Sequence, residues 1–134
     1  MAHTWAETQP AGDADKTWQT TSMSSDGSKI IAGNVFRLYL STNSGSSWSE
    51  VQPAGDVNKY WYASSMSSDG SVIIAVAYLG RIYLSTNSGT SWAEVQPAGN
   101  ADKTWFTSSM SSDGSKIIAG IYSSTGGAIY ASDN

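Results

Sequence analysis

The residues of this chain recur every 43 or 44 positions, and the last recurrence runs off the C-terminus and resumes at the N-terminus. Trp5, Trp48 and Trp92 mark one phase of the pattern. Trp18, Trp61 and Trp105 mark a second, and Met23, Met66 and Met110 a third. Gln9-Pro10-Ala11-Gly12 returns at Gln52–Gly55 and Gln96–Gly99, and Ser-Ser-Asp-Gly-Ser occurs at Ser24–Ser28, Ser67–Ser71 and Ser111–Ser115. The segment Ile82–Glu94 has a near copy at Leu38–Glu50. A third copy is divided, with Ile129–Asn134 supplying its start and Met1–Glu7 its end. Placed end to start, Asn134 and Trp5 have the spacing of Asn87 and Trp92, so the chain reads as a whole number of repeats cut inside one of them. A fixed period of this length confines the fold to a stack or ring of one supersecondary unit.

Each repeat reads as four short strands. Trp61 to Ser67 is the first, rich in Ser and Ala, and Ser68-Asp69-Gly70-Ser71 is the hairpin turn after it, with glycine supplying positive φ. Val72 to Ala77 is almost wholly apolar, as expected of a strand covered on both faces. Arg81 to Thr86 alternates, and Ser91 to Val95 follows an Asn87-Ser88-Gly89 turn. Pro97 cannot donate to a ladder and marks the exit into the next repeat. The expected organisation is a single domain over 1–134, with repeats at about 5–47, 48–91, and 92–134 joined to 1–4.

Four antiparallel strands in about 43 residues is the period of a β-propeller blade. The small first-strand residues Ser64, Ser65, Ser108 and Ser109 suit the crowded axis of such a ring. A β-solenoid is the competing architecture, but it favours shorter coils and atypical capping repeats. The composition agrees with an all-β fold: charged residues are only 13% of the 134, and Ser, Thr, Gly and Asn fill the polar positions. The chain has no cysteine, hence no disulfide framework and no thiolate metal site. A net charge of −4 disfavours nucleic acid and anionic membrane as partners. No apolar run reaches bilayer length and no signal-peptide core precedes Trp5, so the localisation stays open.

Ser41-Thr42-Asn43-Ser44-Gly45-Ser46-Ser47-Trp48 and Ser85-Thr86-Asn87-Ser88-Gly89-Thr90-Ser91-Trp92 resemble the Asp-box, Ser-x-Asp-x-Gly-x-Thr-Trp, of sialidase-type and bacterial repeat propellers. Ser132, Asn134 and Trp5 carry the divided third copy, in which Ala2 stands in the place of the glycine. The resemblance implies a propeller in which this box is a structural turn between third and fourth strands. Asn43, Asn87 and Asn134 are then expected to cap backbone amides in the acid's place, as Asx side chains do. It does not imply sialidase activity.

Three blades are too few to close, since rings generally begin at four. With a fourth strand expected at Thr4 to Thr8 and a last third strand at Ala128 to Ser132, both ends invite edge pairing. The expectation is a head-to-tail homo-oligomer in which residues 1–8 of one copy complete the last blade of another. Two copies make six blades, the preferred outcome, and three copies make nine.

Little in the sequence points to catalysis. Glu7, Glu50 and Glu94 are repeat-equivalent, as are Asp26, Asp69 and Asp113, which is how turn caps behave rather than an acid–base pair. Arg37 and Arg81 alone cannot make the arginine cluster of a sialidase site, and His3 is the only histidine. No phosphate-binding glycine loop is present. No cofactor or metal is expected, and the chain is read as a non-enzyme. The candidate ligand residues are Asp15, Lys16 and Trp18, then Asn58, Lys59 and Trp61, then Asp102, Lys103 and Trp105, on equivalent loops. An aromatic beside Asp, Asn and Lys suits a sugar: a flat apolar face with fixed donors and acceptors. A lectin-like ring would repeat that site and gain by multivalency. The competing reading packs each Trp between blades and leaves Lys and Asp as a solvated pair.

Overall fold

The computed structural model describes residues 1–132. Strands β1 (Trp18–Met23), β2 (Ile30–Asn34), β3 (Leu38–Ser41) and β4 (Ser49–Val51) form the first sheet, an antiparallel meander in sequence order. The second holds β5 (Trp61–Met66), β6 (Ile73–Ala77), β7 (Ile82–Ser85) and β8 (Ala93–Val95), and the third β9 (Trp105–Met110), β10 (Ile117–Ile121) and β11 (Ile129–Ala131). The strands fall within two residues of their expected bounds. Thr4 to Thr8, expected to complete the last blade of another copy, forms no strand within the single chain and is exposed, and among the described residues the third sheet has three strands.

The sheets stack face to face as blades. β1 lies beside β5 and β5 beside β9, so the first strands share the narrow side of the arc. All five residues of β6 are buried because its alternation serves two interfaces. Ile73 and Ala75 join Ile31, Leu38, Leu40 and Trp61 in the layer between the first and second sheets. Ile74 and Val76 join Ile82, Trp105 and Ala119 in the layer between the second and third. Full burial of each such aliphatic side chain contributes roughly 1.5–3 kcal/mol. Gly33 is needed at the first layer: a Cβ there would stand 2.9 Å from the Cβ of Trp61.

Polar contacts bind the narrow side. The Ser25 amide donates to the Ser68 carbonyl at 2.8 Å, and the Ser68 amide to the Ser112 carbonyl at 2.6 Å, one step per blade. The Thr20 and Ser64 hydroxyls bond each other at 2.8 Å across the first junction. At the second junction Ala63 occupies the place of Thr20, and the buried Oγ of Ser108 finds no partner among the described residues. A buried hydroxyl left unpaired costs stability that a new hydrogen bond recovers. Ala63→Ser should therefore raise stability by roughly 0.5–1.5 kcal/mol in urea unfolding. An unchanged or lower midpoint would refute the pairing.

Candidate functional site

The rim formed by the β-hairpin turns is built from side-chain caps. Oδ1 of Asp69 accepts from the Ser67 hydroxyl, the Ser71 amide and the Ser71 hydroxyl at 2.7–2.9 Å, and Asp26 and Asp113 repeat the arrangement with their own serines. The hydroxyls of Ser24 and Ser111 are the largest influence holding the Asp26 and Asp113 carboxyls down to about 2, and the Ser71 amide chiefly holds Asp69 well below the usual carboxylate range.

The turns at Asn43 and Asn87 behave as caps too. Oδ1 of Asn43 accepts from the Ser47 amide and Oδ1 of Asn87 from the Ser91 amide, each at 2.9 Å, while Ser41 and Ser85 accept from the amides of Gly45 and Gly89. Gly89 has φ +80°, and a Cβ there would stand 2.6 Å from Leu40 Cδ2. Trp92 packs against the layer between the first two sheets, and its indole nitrogen donates to the Gly89 carbonyl at 3.1 Å. Trp48 instead donates to the Thr8 hydroxyl at 2.8 Å, which itself donates to the Gly45 carbonyl. Ser132 turns its Oγ to the Ile117 amide at 2.9 Å, Trp5 stands 93% exposed, and Asn134 lies outside the described residues.

The opposite rim carries the residues expected to meet a ligand, and it redistributes them. Trp61 and Trp105 are 2% exposed, each within a layer between sheets and edge-on to Tyr83 or Tyr130, so neither offers a face to a sugar. They open their strands at the alternation phase that points into the neighbouring blade. Trp18 is 37% exposed and edge-on to Tyr39, on the face of the first sheet that no blade covers. Asp15, Lys16, Asn58 and Asp102 are exposed; Lys59 and Lys103 are half-buried. The lysine backbones do the joining: the Lys59 amide donates to the Phe36 carbonyl, and Lys103 and Gly80 exchange two bonds at 3.0 and 3.1 Å. The acids pair with arginine rather than lysine. Arg81 binds Asp102 and Glu94, and Arg37 binds Asp56 and Glu50.

What stands on this rim is a row of rings not anticipated from the motifs. Tyr60, Tyr62 and Tyr78 contact one another at 5.6–5.7 Å between centroids, Tyr62 meets Phe106 at 4.6 Å, and Phe106 meets Tyr122 at 5.6 Å. Tyr62 and Phe106 are the extra residues where the ladder shifts register, between Trp61 and Ala63 and opposite Gly120 and Ile121. A bulge re-aims its side chain, here out of the layer and onto the row. The available sequence signal was departure from the repeat, because Thr17 and Gln19 occupy the places of Tyr60 and Tyr62.

The end sheets form the other notable surfaces. Ile129, on β11, is 73% exposed where its equivalent Ile82 is 1% exposed, and Ile118 and Met23 are likewise open where their counterparts Ile74 and Met66 are buried. Beside β11 a cleft of about 370 Å³ opens between the second and third sheets, lined by Ile74, Ile82, Leu84, Ile117 and Tyr130 among others.

No family model matches the sequence, and no curated protein matches it. The fold is shared with β-propeller structures. An ancestral GH74 enzyme aligns at TM-score 0.67 and 17% identity over 87% of this chain and 19% of its own. YCF48 bound to D1 peptide aligns at 0.67 and 17% over 87% of this chain and 37% of its own. A putative TolB from Agrobacterium tumefaciens aligns at 0.63 and 19% over 88% of this chain and 43% of its own. The chain therefore spans less than half the length of these propellers and has the architecture of part of one.

The turn carboxylates give a pH signature. Their folded pKa values lie below the ordinary 3.8, so their stabilisation is present above that pH and is lost as pH falls towards about 2. Denaturant midpoints should fall across that window, and the combined Asp26→Asn, Asp69→Asn and Asp113→Asn variant should flatten the fall. An equally steep fall in the variant would assign the acid sensitivity elsewhere.

Proposed function

We propose that the chain is a non-catalytic propeller module that assembles head to tail with copies of itself, two copies making a six-bladed ring that serves as a scaffold or binding unit. The observation that carries this is the identity of the exposed apolar residues on the end sheets. Each repeats a residue that is buried at an internal junction: Ile118 and Ile129 on the third sheet stand for Ile74 and Ile82, and Trp18 and Met23 on the first stand for Trp61 and Met66. The two open faces are thus the two halves of the junction already formed twice within the chain. Joining like this is heterologous, and it closes where the rotation divides a full turn.

Light scattering behind a sizing column should give twice the 14.1 kDa chain mass. Three times that mass would replace six blades by nine, and a stable monomer would overturn the reading. Met23→Glu and Ile129→Glu alter only exposed side chains, so each should leave the circular dichroism unchanged while returning the mass to that of one chain.

The aromatic row favours a second role, glycan binding. Tyr60, Tyr122 and Phe106 are exposed, and among the described residues the hydroxyls of the row donate to no protein acceptor. Ring faces beside unspent hydroxyls suit a polyhydroxylated ligand. A neutral oligosaccharide selected on a glycan array should bind at least tenfold more weakly to Phe106→Ala and Tyr122→Ala, with the mass unchanged. Equal binding by both variants would remove the row from the site.

A further inference from the structure

We infer that the cleft beside β11 is a docking site for residues Trp5–Thr8 of a second copy, with the Trp5 indole as its plug. This inference rests on the head-to-tail reading and specifies which atoms make the seam. The same site is already occupied one junction earlier. There, Trp92 and Val51 pack against the layer that includes Leu40 and Ile73. Moving by one repeat turns Leu40 into Leu84, Ile73 into Ile117 and Val51 into Val95, all of which line the cleft. The residue that repeats Trp92 is Trp5, which in its own chain touches so little that it is 93% exposed. The apolar cleft and the unplaced indole are therefore the two halves of a contact that the chain makes once within itself.

The backbone specifies the register. Ile82, Tyr83 and Leu84 pair with Val95, Glu94 and Ala93, and Leu38, Tyr39 and Leu40 pair with Val51, Glu50 and Ser49. Ile129, Tyr130 and Ala131 carry the corresponding positions on β11, whose outer edge pairs with no strand among the described residues. Their partners are then Thr8, Glu7 and Ala6 of the second copy. Thr8 is tied to the turn before β4 of its own chain by its bonds with Gly45 and Trp48, and the residues just before it are exposed. The match begins at Trp5 and not before, because Ala2 stands where the turn uses a left-handed glycine pressed on a leucine.

Trp5→Ala should weaken self-association about a hundredfold or more, as loss of a buried aromatic anchor does, while leaving each chain folded because the side chain is exposed in the single chain. The absence of native cysteine permits a direct test of register. Chains carrying Glu7→Cys mixed with chains carrying Tyr130→Cys should oxidise to a disulfide-linked pair of chains. Chains carrying Thr125→Cys, on the long loop, should not link to Glu7→Cys. Wild-type chains that dimerise while Trp5→Ala dimerises equally well and no such link forms would overturn this site and leave the head-to-tail reading standing. A monomeric wild type would remove both.

Discussion

The whole molecule depends on sheets that are apolar on both faces. A strand alternates its side chains, so β6, with Ile73 and Ala75 to one side and Ile74 and Val76 to the other, can be dry only between two other sheets. That requirement fixes the stacking of blades, their spacing and the place of Trp61 and Trp105. It also fixes what happens at the ends. A sheet with neighbours on both sides is satisfied, whereas the first and third sheets of this chain each present one apolar face to water. Exposed patches rimmed by polar residues mark interaction surfaces in folded proteins, and here the pattern of the patch reproduces the pattern of the interior.

The two rims divide the remaining work. On the hairpin rim Asp26, Asp69 and Asp113 accept local amide hydrogens through Oδ1, Asn43 and Asn87 do the same in their turns, and the successive links between Ser25, Ser68 and Ser112 tie blade to blade. The opposite rim has arginine–carboxylate pairs beside a row of exposed aromatic rings.

Much of the architecture was legible because it is periodic. The strand phases, the turns at Asn43 and Asn87 and the capping aspartates all repeat, and repetition exposes local geometry. The site was less legible for two reasons. Tryptophans that recur beside polar loop residues look like stacking platforms, yet alternation and a bulge turn Trp61 and Trp105 inward and turn Tyr62 and Phe106 outward. The second reason is that pairing belongs to space rather than to spacing. Arg81 reaches Asp102 across a loop, and Thr4 to Thr8, although strand-like in sequence, stays unpaired because β11 lies at the far end of the arc.

The arginine pairs have one further consequence. The third repeat has Ala128 where the others have Arg37 and Arg81, so Glu7 and Asp13, equivalents of Glu50 and Asp56, have no arginine placed to receive them. Together with Asp15 they leave the upstream edge of the chain rich in carboxylates. Ordinary surface ion pairs weaken as dissolved ions screen them over roughly 8–10 Å. At this edge the screened force is mutual repulsion, so rising ionic strength makes it easier for another acidic chain to approach.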